Sequence, residues 1–212
     1  MITTENMCAS EHSWNHNTLI DNGQSIKTLR CGRLGQGQAE TVAKTVSILY
    51  LIEGQGDLYY GNQKKELMKK GCYFLPKKEE YRLESVSKVA LRYLLIESNR
   101  NHFEMLDTPS LLIRWGTEES VEYVEPGIEL STENVRLPLR IRDHLLAPGE
   151  CTGMQRLDQQ LCHVIVEGEG HFRSEGNELS LSQGMILHLP QSKEWEIVND
   201  CRQNLSYVTI LD

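Results

Sequence analysis

Short apolar runs, each closed by a turn-forming residue, set the rhythm of the chain. Val46-Ser47-Ile48-Leu49-Tyr50-Leu51 and Cys162-His163-Val164-Ile165-Val166 are strand-length runs rich in β-formers. Leu58-Tyr59-Tyr60 runs into the turn Gly61-Asn62, and Phe172-Arg173 into Glu175-Gly176-Asn177, which predicts hairpins. Cys72-Tyr73-Phe74-Leu75-Pro76 and Met185-Ile186-Leu187-His188-Leu189-Pro190 read as strands entered from a glycine and ended by a proline, which cannot donate to a central ladder. Residues 88–96 and 205–210 read as closing strands. No long stretch carries a helical period, and residues 100–106 are the best short helix. Many short strands between regular turns predict an all-β sandwich or barrel.

The strands repeat. Ile52-Glu53-Gly54-Gln55-Gly56 and Val166-Glu167-Gly168-Glu169-Gly170 share one pattern at a separation of 114 residues. The same shift carries Gly35 onto Gly149, Pro76 onto Pro190 and Tyr81 onto Trp195, while Gly71 and Gly184 miss by one. Four landmarks in one register indicate a duplicated unit. The reading divides the 212 residues into an N-terminal barrel over 1–105 and a C-terminal barrel over 106–212.

Charge and composition then narrow the function. With 22 Lys+Arg against 30 Asp+Glu the net charge is −8, which argues against a general nucleic-acid binder. No apolar run reaches the length of a membrane span and no signal peptide is visible, so the expected location is cytoplasmic. Six cysteines without a Cys-x-x-Cys pair then read as reduced, buried thiols. His12 and His16 lie four apart with no third ligand near in sequence and read as terminal polar residues. The lysine pairs at 64–65, 69–70 and 77–78 read as solvated.

The glycine and proline landmarks resemble the cupin superfamily of jelly-roll β-barrels. Gly149 and Gly168 match the outer glycines of its first motif, and Gly184, Pro190 and Asn199 fit its second. Gly35, Gly54, Pro76 and Ser85 hold the equivalent places in the first unit. The resemblance covers residues 24–96 and 134–211 and implies a bicupin, two tandem barrels packed as an intramolecular pseudo-dimer.

The resemblance also marks where the family's metal ligands fall. In the second unit the His and Glu places hold Gln155, Leu157, Leu161 and Trp195; in the first they hold Thr41, Ala43, Ser47 and Tyr81. None is a usual ligand of Zn, Fe, Mn or Ni, so no metal and no other cofactor is expected. Strand alternation places these residues, together with His163, toward the barrel interiors. His188, two residues before Pro190, joins them as a candidate pocket or acid/base residue. The aromatic Tyr81 and Trp195 either plug the barrels or wall a small-ligand pocket.

Three functions compete at this level. One is a metal-independent bicupin that binds a small polar metabolite or regulates a partner. The second is an isomerase, lyase or dioxygenase-like enzyme on a small sugar or acid, using His163, His188, Tyr81 or an atypical metal site. The third is an interaction protein with two packed barrels. Neither nucleic acid nor membrane is an expected partner, and homodimer formation through strand edges stays open.

Overall fold

The computed structural model describes residues 16–19, 26–42, 47–75, 80–98, 112–114, 140–156, 158, 161–189 and 191–211. Ala43, Leu157, Pro76, Pro190, His12, Lys77, Lys78 and the helix expected at 100–106 lie outside them. The described residues are all β or irregular, and they divide into two compact units, 16–114 and 140–211. Among them no helix is long and apolar enough to cross a membrane.

The first unit contains β1 (His16–Leu19), β2 (Ile26–Leu34), β3 (Ala39–Val42), β4 (Ser47–Glu53) and β5 (Gly56–Tyr60). It continues with β6 (Gln63–Leu67), β7 (Gly71–Leu75), β8 (Tyr81–Ser85), β9 (Leu91–Ser98) and β10 (Leu112–Arg114). One sheet has the order β1-β2-β9-β4-β7-β10 and the other β3-β8-β5-β6. β10 pairs antiparallel with β7, so the pairing of this unit reaches past the residue at which the sequence reading divides the chain.

The second unit contains β11 (Arg140–Leu146), β12 (Gln155–Arg156), β13 (Leu161–Glu167) and β14 (Gly170–Ser174). It closes with β15 (Asn177–Leu181), β16 (Ile186–Leu189), β17 (Glu194–Val198) and β18 (Leu205–Leu211). Its sheets are β11-β18-β13-β16 and β12-β17-β14-β15. Strand for strand, this repeats the order β2-β9-β4-β7 and β3-β8-β5-β6 of the first unit. In each unit the two sheets enclose one apolar core: Leu49, Leu58, Tyr73, Tyr81, Leu83 and Tyr93 in the first, and Ile165, Phe172, Leu187, Trp195, Ile197 and Tyr207 in the second.

The shared Glu-Gly-x-Gly turn has a shared geometry. The β4–β9 register shifts between Leu51 and Glu53, and the β13–β18 register between Ile165 and Glu167. The extra residue of each bulge turns the chain into a glycine at positive φ, Gly54 (85°) and Gly168 (86°). The expectation of buried cysteines holds for Cys31, Cys72 and Cys162 but needs correction elsewhere. Cys151 is exposed and Cys201 half-buried, because both stand in or beside turns and not on a core-facing strand.

Ser85 and Asn199 occupy equivalent places and differ in what they hold. Buried Asn199 donates Nδ2 to the carbonyls of Leu146 and Gln203, each at 2.8 Å, and accepts from the Cys201 amide. The Ser85 hydroxyl is buried with no hydrogen-bond partner among the described residues. Asn199→Ala should therefore lower stability by about 1–3 kcal/mol, since it removes three hydrogen bonds made by a buried side chain. Ser85→Ala should be neutral or stabilising. Urea unfolding of both variants checks the contrast.

Candidate functional site

The interior of each barrel follows from the register, because directly paired antiparallel residues share a face. In the second barrel Leu161, His163 and Ile165 of β13 face inward with Thr209 and Tyr207 of β18 and with Leu187 and Leu189 of β16. His163 is completely buried, with Nδ1 paired to Thr209 Oγ1 at 2.9 Å. Its ring meets Trp195 edge-on at 4.7 Å and Tyr207 at 5.3 Å. His144 stacks on Tyr207 at 4.6 Å, and Phe172 stacks on Trp195 at 6.3 Å. Five rings thus run in series through the barrel.

Burial, together with the nearby His144, pushes the His163 pKa down to about 3, so the ring is neutral at physiological pH. Its Nε2 is buried with no hydrogen-bond partner among the described residues. The ring therefore lies within the apolar core of this barrel, away from solvent.

The other expected second-barrel residues differ in placement. Gln155 pairs with Trp195 and so shares its inward face, at an exposed position, and its Nε2 donates to the Thr152 carbonyl at 3.0 Å. His188 pairs with Cys162, which places it on the opposite face of the sheet from His163. The sequence reading grouped the two histidines; the antiparallel register separates them. Leu161 and Trp195 are core residues.

The first barrel is built differently. Ser47 and Tyr81 are buried and inward-facing, as alternation predicts. Thr41 requires correction: β3 pairs with β8 so that Val42 meets Tyr81 and Glu40 meets Leu83, while exposed Thr41 shares the outer face with Arg82. The inward residue of β3 is therefore a carboxylate, Glu40. Arg30, inward on β2 opposite Leu95, forms an ion pair with it through Nη2.

The same Nη2 donates to the Tyr93 hydroxyl at 2.6 Å, and the guanidinium lies 5.7 Å from the Tyr93 ring centre. Gly32 makes this possible. A Cβ there would lie 1.9 Å from the Tyr93 ring, so only glycine lets the ring lie across β2 and aim its hydroxyl at Arg30. One layer along the same face, Thr28 donates to Glu97 at 2.6 Å. The Arg30 and Glu40 side chains are 26% and 29% exposed, so solvent reaches this cluster. Burial raises the Glu40 carboxyl pKa, outweighing the lowering effect of Arg30.

Sequence reasoning missed Arg30, Glu40 and Tyr93. The motif spacing drew attention to Thr41, one residue out of phase, and an alternation of Thr28, Arg30 and Gly32 along one strand has no apolar stripe to mark its inner face. Among the described residues, no three His, Cys, Asp or Glu side chains converge in a metal-binding group.

No protein-family model matches the sequence, and no curated protein matches it. Solved structures do match the fold. AerE from Microcystis aeruginosa aligns over 93% of this chain and 97% of its own, at 12% identity and TM-score 0.64. A cupin 2 conserved barrel domain protein from Leptotrichia buccalis aligns over 95% and 91%, at 14% identity and TM-score 0.51. The salicylate 1,2-dioxygenase of Pseudoaminobacter salicylatoxidans, as a mutant in complex with gentisate, aligns over 87% of this chain and 68% of its own, at 12% identity and TM-score 0.56. With two matching jelly-roll units of the same strand order, this chain has the bicupin fold.

Proposed function

We propose that this bicupin binds a small polar metabolite without a metal, in its first barrel, while the second barrel serves as a packed partner domain. The observation that carries the reading is the contrast in access. Arg30, Glu40 and the Tyr93 hydroxyl form an inward polar cluster open to solvent, whereas the polar group deep in the second barrel, His163, is sealed. Small-ligand sites combine a mostly apolar wall with a few fixed polar groups, and the tyrosines and leucines of the first barrel supply that wall.

The residues at the family's ligand places do not fit a transition metal. Ser47, Tyr81, Leu161 and Trp195 offer a hydroxyl, a phenol and no imidazole or carboxylate, and Thr41 and Gln155 are exposed. Recognition in this reading therefore rests on Arg30 and its neighbours. Nucleic acid and membrane have no place in it, and the protein acts in the cytoplasm.

A thermal-shift screen of small polar metabolites against chelator-treated protein tests the proposal. At least one compound should raise the melting temperature by about 5 °C or more at a hundredfold excess over its Kd. The shift should survive chelation. Stabilisation that appears only with a transition metal, or one tightly bound metal per chain in the purified protein, would overturn the metal-independent reading. A flat response across the screen would overturn binding altogether.

A further inference from the structure

The first-barrel site has an electrostatic feature that narrows its ligand. A guanidinium carries five N–H donors in a planar fork, and both of the described Arg30 bonds use Nη2, one to Glu40 and one to Tyr93. The donors on Nη1 and Nε remain for another acceptor, on a side chain that solvent reaches. The guanidinium is also held in orientation, because the Tyr93 ring lies across Gly32 with its hydroxyl on Nη2. A pre-oriented, partly buried arginine is a recognition element for carboxylate groups.

We propose, building on the binding reading above, that the ligand is a small carboxylate anchored on Arg30, and that Glu40 takes up one proton from solvent as it binds. Charge balance requires the proton. Arg30 and Glu40 alone are neutral as a pair. A second carboxylate beside the same guanidinium leaves a net negative charge in a half-buried site, which is costly at low effective dielectric. One proton on Glu40 restores neutrality: the ligand carboxylate replaces Glu40 as the counter-ion, and protonated Glu40 can still donate or accept a hydrogen bond. The upward shift of the Glu40 carboxyl caused by burial acts in the same direction.

Among the described residues, the other ionisable groups on this face are Tyr93 and Glu97 on β9, Tyr81 on β8, Tyr60 on β5, Tyr73 on β7 and Lys65 on β6, which is paired with Leu58. The phenols ordinarily titrate near pH 10, far above a carboxylate. Glu97, bonded by Thr28, is the other inward carboxylate among the described residues and provides the control. The second barrel has no such pair: Arg142, opposite Thr209 as Arg30 is opposite Leu95, is exposed and makes no ion pair with a described residue.

Calorimetric titration of the full chain tests the inference, with acetate and benzoate as probes and acetamide and benzamide as their uncharged counterparts. Benzoate belongs in the set because the Tyr60 and Tyr81 rings, 6.0 Å apart, line the same barrel. At least one acid should bind at pH 6 and its amide should not. Its affinity should fall about tenfold per pH unit above the Glu40 pKa, the linkage expected for one proton taken up. Titrations in two buffers of different ionisation heat should report that proton directly, without any variant.

Glu40→Gln should bind the acid more tightly at pH 8 and abolish the pH dependence, whereas Glu97→Gln should keep it. Arg30→Gln should abolish binding. Amides binding as tightly as acids, or a pH slope that survives Glu40→Gln, would overturn the proposal. If no acid binds but a neutral compound from the metabolite screen does, the carboxylate inference falls while the binding reading stands. If nothing binds in either experiment, both fall.

Discussion

Acidifying the protein from pH 6.5 toward pH 3 should progressively destabilise it, and His163→Gln should remove a large part of that loss. The unfolded chain protonates this imidazole near its ordinary pKa of 6.5, whereas the folded chain holds it neutral down to about 3. Between those values the unfolded state binds the extra proton. Stability therefore falls as pH falls, by about 1.4 kcal/mol per pH unit from this group alone. Above pH 6.5 both states carry neutral His163, and its contribution is flat. His144 and His188 are also shifted downward, chiefly by burial, and add to the same acid limb.

Urea-unfolding midpoints measured at intervals from pH 8 to pH 3.5 give the slope for wild type and variant. Equal slopes would show that His163 protonates without unfolding the barrel. At neutral pH a second comparison isolates the unpaired Nε2. The first barrel holds Leu49 and Leu95 where the second holds His163 and Thr209, in the same strand pairing. Replacing both polar groups together, as in His163→Leu with Thr209→Val, removes the stranded Nε2 together with the Nδ1–hydroxyl pair. The double variant should match or exceed wild-type stability, while Thr209→Val alone leaves both ring nitrogens unpaired and should destabilise.

The second large effect belongs to the repeated turn. Gly168→Ala should destabilise the second barrel by about 3 kcal/mol, combining two costs. The backbone sits at φ 86°, which an L side chain rarely adopts, and a Cβ there would lie 2.2 Å from the carbonyl oxygen of Asn204. That oxygen belongs to backbone on the approach to β18 and cannot swing aside. Gly149→Ala separates the two costs. Its φ is 85°, yet a Cβ meets nothing within 4 Å, so only the left-handed penalty of about 1–2 kcal/mol applies.

Gly54→Ala should behave like Gly168→Ala, because its Cβ would lie 2.7 Å from the Ala90 carbonyl oxygen. Chemical denaturation of the three variants gives the ranking. Equal losses at Gly149 and Gly168 would show that close approach of the strands contributes nothing. The ranking also explains why the Glu-Gly-x-Gly signature is so legible in sequence: bulge, positive φ and strand contact all demand glycine at one place in both units.

Local chemistry made the strands visible. Apolar β-branched runs, glycine entries and proline exits act within a few residues, so Leu49, Tyr73 and Ile165 could be assigned to core strands without knowing their partners. The inward placement of Ser47, Leu161 and His163 followed from alternation along long strands. Thr41 failed because β3 is a four-residue strand, too short for its own pattern to fix a face. Its pairing with β8, some forty residues away, decided that Glu40 and not Thr41 turns inward. His188 failed for a related reason: its side was set by its partner Cys162 on β13.

By itself, then, the sequence determined an all-β chain, a duplication at 114 residues and the glycine turns that shape each unit. Those properties rest on backbone preferences and spacing, which are written locally. Tertiary structure alone decided what fills the two barrels. Pairing between distant strands buried His163 between Trp195 and Tyr207 in one, and in the other brought Arg30, Glu40 and Tyr93 together across three strands, where a missing side chain at Gly32 leaves room for a tyrosine to hold an arginine in place.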